Sequence, residues 1–189
     1  MTKSIILSGV GGQGTILASK LLTLGLMDAG YDVKMSEIHG MSQRGGTVTS
    51  HIRYGEDVDS PVIELGDADL LISFEKMEAL RYLEYLKPNG KVVVNDFQIK
   101  PLSALAAKVE YSKDILKELD KNADTRSINA GKMALELGNS RVMNVILLGA
   151  IVKLIDLSDT NWDKIIEENV KAHTVDLNKK ALNLGMELV

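Results

Sequence analysis

The strongest constraint on this chain lies within its first thirty residues. A short apolar run, Ser4–Ser8, leads directly into Gly9-Val10-Gly11-Gly12-Gln13-Gly14. A stretch with helical spacing follows at once: Thr15–Ala29 places Leu17, Leu21, Leu24 and Met27 on one stripe, and Gly30 closes it. Strand, glycine turn and helix in that order open an α/β fold. The rest of the first two thirds repeats the alternation. Apolar runs rich in Val and Ile recur at Asp69–Phe74 and Lys91–Asn95, as buried strands require. Between them, Lys76–Leu86 carries Met77, Leu80, Leu83 and Leu86 and stops at Pro88-Asn89-Gly90, which predicts a helix. Strands separated by helices of this length imply right-handed crossovers and a largely parallel sheet.

Thr47–Tyr54 departs from this pattern. It alternates branched and polar side chains with no helix before it, so it predicts an antiparallel edge or a hairpin with a strand near Val33–Glu37. The sheet is therefore expected to be mixed. In the last third, Arg141–Ile155 is apolar nearly all round and predicts a buried helix. Thr160-Asn161-Trp162-Asp163 resembles a capping box opening a helix near Trp162. A final helical stretch carries Val175, Leu182 and Met186. The expected architecture is a three-layer α/β/α fold around an open, mostly parallel, mixed sheet. It is Rossmann-like, with a helical C-terminal third, and forms one domain over residues 1–189, a length typical of a single domain at about 100–200 residues.

Composition narrows the function. The 189 residues include no Cys, which removes disulfides, thiolate nucleophiles and cysteine-ligated zinc or iron–sulfur clusters. A net charge of −4 without a basic cluster argues against general nucleic-acid binding. No run approaches the 18 or so apolar residues of a membrane span, and the N-terminal run is too short for a signal-peptide core. A soluble, cytoplasmic protein is expected. His39, His51 and His173 lack metal-ligand spacing, so no metal site is expected.

Gly9, Gly11 and Gly14 meet the G-x-G-x-x-G spacing, whose logic is a tight turn, close backbone approach by a ligand and close helix–strand packing. A P-loop is excluded because Thr15 stands where its lysine must be. Three readings of Gly9, Gly11, Gly12, Gln13 and Gly14 remain: contact with a phosphate or nucleotide, a structural turn alone, or contact with another subunit. A dinucleotide fold would place an acid about 20 residues on, and Glu37 stands near that position. A stand-alone NAD-dependent dehydrogenase and a nucleotide-binding regulatory module are thus the alternative functions.

A second block, Ser36-Glu37-Ile38-His39-Gly40-Met41-Ser42-Gln43-Arg44-Gly45-Gly46, is dense in functional side chains. It follows the second strand, on the rim where open α/β sheets gather their ligands. Arg44 beside Gly45 and Gly46 offers a guanidinium fork and exposed N–H groups to a carboxylate or phosphate. Glu37, His39, Met41 and Gln43 are assigned to loop organisation or a partner interface. Ser42 lacks a nucleophile elbow, and Glu75 is explained by its place in the first turn of a helix.

Together, Gly9–Gly14 and the His39-Gly40-Met41-Ser42-Gln43-Arg44-Gly45-Gly46 block resemble the gamma subunit or domain of 2-oxoacid ferredoxin oxidoreductases. Glu75–Pro88, Lys91–Asn95 and Gly138-Asn139 leading to Asn144 and Leu148-Gly149-Ala150 agree, so the resemblance spans about Ser4 to Lys153. The His39-Gly40-Met41 version is similar to the indolepyruvate type, in which this subunit is called beta. The resemblance implies an enzyme that oxidatively decarboxylates a 2-oxoacid to an acyl-coenzyme A and reduces ferredoxin. It implies thiamine diphosphate with magnesium, and iron–sulfur clusters, on a larger partner chain. It also implies that this chain is inactive alone, carries no catalytic residue, and shapes an entrance for coenzyme A or substrate. In isolation it would associate, if at all, with copies of itself.

Overall fold

The structure is a computed structural model that describes residues 1–39, 45–99 and 111–189. Six strands form one sheet in the order β2-β3-β1-β4-β5-β6. They are β1 (Lys3–Val10), β2 (Asp32–His39), β3 (Thr47–Gly55), β4 (Ala68–Ser73), β5 (Leu86–Asn95) and β6 (Asp124–Ile128). β1, β4, β5 and β6 run parallel, whereas β3 is antiparallel to both β1 and β2. The hairpin expected from the alternation in Thr47–Tyr54 is therefore present, and β2 is one edge of the sheet.

Helix α1 (Thr15–Asp28) joins β1 to β2, and α2 (Lys76–Arg81) joins β4 to β5. The remaining described helices are α3 (Ile115–Asn122), α4 (Ala130–Glu136), α5 (Met143–Leu154), α6 (Trp162–Asn169) and α7 (Val175–Met186). Strand residues divide by their two-residue period. Ile5, Leu7, Leu70, Ile72 and Val93 pack with α1, α5, α6 and α7. Ile6, Leu71, Val92 and Val94 pack with Ala79 of α2 and with Ile115 and Leu119 of α3. Helices thus cover both faces, giving the three layers expected. α5 is the centre of the larger layer: Met143 through Val152 are all buried, each large aliphatic side chain contributing about 2 kcal/mol of burial.

Two local expectations are corrected, and one strand was not anticipated. The helix predicted over Lys76–Leu86 ends at Arg81, followed by a 3₁₀ turn at Leu83–Tyr85 and by β5 from Leu86. The cause is visible in Met77, Leu80, Leu83 and Leu86. A strict three-residue spacing drifts around an α-helix but stacks in a 3₁₀ turn, and Leu86 is drawn into pairing with Ala68. At α6 the N-cap is Asn161 rather than Thr160; its side chain accepts from the Lys164 N–H at 3.2 Å. The segment Asp124–Ile128, which has no apolar run to mark it, is an edge strand.

Candidate functional site

β1 and β4 are neighbouring parallel strands whose following helices lie on opposite faces of the sheet. Such a switch point opens a crevice beyond the strands' carboxyl ends. Gly11–Gly14 follows β1 on one side of it and Phe74–Glu75 follows β4 on the other.

The two glycine blocks meet here. The Gly11 N–H donates to the Gly46 carbonyl at 2.8 Å, and the Gly45 N–H donates to the Gly11 carbonyl at 3.3 Å. These bonds extend the β1–β3 ladder beyond the Val10–Thr47 pair. The second block is thereby fastened to the first. His39, the last residue of β2, sits opposite Val48 and joins it along a cleft of about 320 Å³. Gly11, Gly12, Gly14, Thr15 and Ile16 line the same cleft. Met41, Gln43 and Arg44 lie outside the described residues, as do Gly40 and Ser42.

Gly14 is the N-cap of α1, with φ 80°, and supplies no capping side chain; no acid occupies the helix's first turn. A Cβ here would lie 2.6 Å from Asn144 Nδ2, so glycine is required on two counts. Asn144 in turn donates to the Gly14 carbonyl at 3.1 Å, tying α5 to the loop. At Gly12, with φ 105°, a Cβ would meet nothing within 4 Å, so the backbone is open to approach from outside. The first turn of α1 therefore presents N–H groups, with the positive end of the helix dipole, at the mouth of the cleft.

Gln13, expected among the ligand contacts, turns inward instead. Its Oε1 accepts from the Val10 N–H at 2.7 Å and its Nε2 donates to the Phe74 carbonyl at 2.8 Å. It braces the two sides of the crevice through both ends of its side-chain amide. Glu37, placed for a ribose in the dinucleotide reading, accepts from Ser19 Oγ of α1 at 3.2 Å. Its strand is also one place too far out, because β3 stands between β2 and β1. A dinucleotide fold holds that acid on the strand beside β1, so the geometry does not reproduce the NAD arrangement.

Glu75 is the residue whose part sequence reasoning understated. Buried to 1 % exposure, it caps α2: Oε2 accepts from the Met77 and Glu78 N–H groups at 2.7 and 3.1 Å. Oε1 accepts from the Ile99 N–H at 3.1 Å and from the Tyr111 hydroxyl through a short bond. Burial and the Glu75 carboxylate push the Tyr111 phenol well above its usual range. The signal available in the sequence was an acid just after a strand; its distant partner Tyr111 had none. His51 is likewise structural: its Nδ1 accepts from the Ile63 N–H at 3.2 Å, and burial pushes the imidazole down.

Among the described residues no group of His, Asp and Glu has the makings of a metal site, and no helix is long and apolar enough to cross a membrane. A larger depression of about 860 Å³ lies at the opposite end of the sheet, against Pro88-Asn89-Gly90 and away from both glycine blocks.

The family model for pyruvate ferredoxin/flavodoxin oxidoreductase matches residues 4–188. The chain belongs to that family. Within it, the chain is 38% identical to the indolepyruvate oxidoreductase subunit IorB of Thermococcus kodakarensis, over 97% of this chain and 94% of that one. It superposes on the gamma subunit of a keto/oxoacid ferredoxin oxidoreductase from Geobacter sulfurreducens with a TM-score of 0.72 at 26% identity, covering 98% and 96% of the two chains. Its fold also matches 31% of a longer polypeptide, the 2-oxoglutarate:ferredoxin oxidoreductase of Magnetococcus marinus, with a TM-score of 0.74 at 18% identity over 99% of this chain. The resemblance read from the two glycine blocks is thus correct. The chain is a subunit of an oxidoreductase of this family.

Proposed function

We propose that this polypeptide is the small subunit of an indolepyruvate-type 2-oxoacid ferredoxin oxidoreductase, working in the cytoplasm with a larger partner subunit. The assembled enzyme would convert an aryl 2-oxoacid to its acyl-coenzyme A and pass electrons to ferredoxin. Thiamine diphosphate supplies electron-sink chemistry for decarboxylation when bound. The residues of this chain do not suit that group or an iron–sulfur cluster: there is no thiolate in the sequence and no acidic or histidine ligand set among the described residues. Both belong, in this reading, to the partner.

What this chain offers is a rim, and the observation that carries the proposal is the pairing of Gly11 with Gly45 and Gly46. That pairing brings the second block beside the open start of α1. Backbone N–H groups there suit the phosphates of coenzyme A, and Arg44 would add a guanidinium. The protein orients the anion and holds it by electrostatics; it moves no proton and forms no bond with it. Glu37, His39, Met41 and Gln43 would shape the loop or face the partner.

Co-expression with the larger subunit tests the whole reading. The chain should co-purify with it and show no oxidation of indolepyruvate alone; activity of the isolated chain would overturn the proposal. Within the assembled enzyme, Arg44→Ala should raise the KM for coenzyme A about tenfold or more, as loss of a charge-assisted contact does, and leave assembly intact. Failure of the variant to assemble would move Arg44 to the interface.

A further inference from the structure

Backbone strain gathers at the end of the sheet opposite the glycine blocks. Among the described residues, only Asn89 and Asp156 hold a positive φ without being glycine, at 65° and 56°. Both line one cleft of about 350 Å³, within the range of about 300–1,000 Å³ usual for small-molecule sites. Asp156 follows α5, where a left-handed residue closes the helix and glycine is the usual occupant. Asn89 stands in the turn Pro88-Asn89-Gly90, which interrupts the pairing of β5 with β4. Each position keeps a polar side chain where glycine would relieve the backbone, and such strain clusters at ligand sites. The amino ends of β1 and β4 complete the cleft. Buried Ile5 and Leu70 give it an apolar lining, joined by Ile155 at the end of α5. Tyr54, 9% exposed, lines it too and is backed by Tyr31 in an edge contact at 5.2 Å. Its hydroxyl makes no hydrogen bond to any described residue. Burial, with Tyr31, Asp69 and Asp156 nearby, pushes the phenol up to about 12, so it stays a donor at neutral pH.

Charge divides across this cleft. Asp69 is already committed: it accepts from the Ser4 N–H at 2.9 Å and pairs with Lys3 at 3.2 Å and with Lys87. One carboxylate thus meets two ammonium groups, and Lys91 adds a third with no ion pair among the described residues. The strand side is positive. Asp156, on the helix side, likewise has no ion pair among the described residues. It stands just beyond the carbonyl end of α5, where the helix dipole favours a cation. An apolar lining between surplus ammonium groups and a free carboxylate fits a molecule with both charges and an apolar body.

We propose that this cleft binds a free α-amino acid with an apolar side chain. The ligand carboxylate faces Lys91 and the Tyr54 hydroxyl, its ammonium faces Asp156, and its side chain lies against Ile5 and Leu70. The inference stands apart from the role proposed for the rim, because no residue lining this cleft belongs to either glycine block.

The test is titration of the full chain, labelled at its Ile and Leu methyl groups, with L-leucine. Saturable shifts are expected at Ile5, Leu70 and Ile155. Asp156→Asn keeps a residue that tolerates the left-handed backbone and removes only the charge; it should weaken leucine about tenfold, as should Lys91→Gln. Tyr54→Phe, which removes only the hydroxyl, should weaken it about two- to tenfold. Two analogues with one charge each separate the ends of the site. Isoamylamine, without the carboxylate, should respond to Asp156→Asn and ignore Lys91→Gln, whereas 4-methyl-2-oxopentanoate, without the ammonium, should do the reverse. Both should bind more weakly than leucine. Methyl groups unmoved at millimolar leucine, or leucine and its 2-oxoacid bound equally well, would overturn the proposal. So would loss of the shifts in the complex with the larger subunit, which would make the cleft a protein interface.

Discussion

α1 and α2 begin at the same rim, each directly after a parallel strand, yet their first turns are finished in opposite ways. At α2, Glu75 is buried and answers two N–H groups of the helix, with Ile99 and Tyr111 on its other oxygen. At α1, Gly14 offers no side chain, and the first turn holds no acid. The orphan donors of a helix start must find partners somewhere. α2 finds them within the chain, while α1 leaves them facing a cleft. The difference separates a closed structural joint from a surface prepared to receive an anion.

The largest effect is expected where the joint is closed. Glu75→Ala would strand the Glu78 and Ile99 N–H groups and the Tyr111 hydroxyl proton in a largely buried setting, and leave the Met77 N–H only the Tyr111 oxygen. A loss of about 3 kcal/mol or more in urea unfolding follows from the cost of such groups left unpaired. Glu75→Gln, which keeps one carbonyl oxygen as an acceptor, should lose distinctly less. A loss below about 1 kcal/mol for the Ala variant would mean that the cap is dispensable and the comparison misdrawn.

A smaller and pH-dependent effect comes from the second acid at the same helix start. Glu78 is 5% exposed, and its Oε2 has no hydrogen-bond partner among the described residues. Burial raises its pKa, and nearby Glu75 adds to that, against the opposing pull of Arg81 and Thr47. A carboxyl raised on folding binds its proton more tightly in the native state. Its contribution is therefore present below the unfolded carboxyl range and is lost as pH rises through the folded value. Glu78→Gln, neutral at every pH, should match the parent in acid and exceed it at neutral pH. Stability curves for the two proteins that stay parallel from pH 4 to pH 8 would show that Glu78 is solvated. α1 has no such group in its first turn and contributes no comparable slope.

How far this contrast could be read in advance depends on distance along the chain. Strand, glycine turn and helix at Ser4–Ala29 are local, and so is the alternation in Thr47–Tyr54, and both appear where their periodicities place them. The apolar helix around Met143–Val152 is equally plain. The open start of α1 was half legible: Gly14 is visible in the sequence, but the Asn144 amide that requires glycine there comes from 130 residues away. The closure of α2 was less so, because Glu75 looks like any first-turn acid until Tyr111 is brought against it. The inward bonds of Gln13 were hidden for the same reason. A polar side chain in a glycine loop suggests a ligand contact, and only the folded chain shows Phe74 within its reach. Strand β6 left little trace, since Asp124–Ile128 is an edge strand and only Ile128 is buried.

The smallest expected change in stability is also the one that bears most directly on function. Ile16 stands in the first turn of α1, 48% exposed, and lines the cleft. Ile16→Glu would place a carboxylate beside the open N–H groups, making α1 more like α2. An acid at that position interacts favourably with the helix dipole, so stability should rise by about 0.3–1 kcal/mol or hold level. The same carboxylate would occupy and repel where an anionic ligand is proposed to sit. In the assembled enzyme the KM for coenzyme A should then rise while kcat falls little, because ground-state binding is what has been removed. Ile16→Gln, similar in size and uncharged, separates charge from shape and should leave the KM near that of the parent. If Glu and Gln raise the KM alike, the cleft rejects bulk rather than charge, and the open helix start is no anion site. If neither variant changes it, α1 is as structural as α2, and its missing cap serves only to let Asn144 approach.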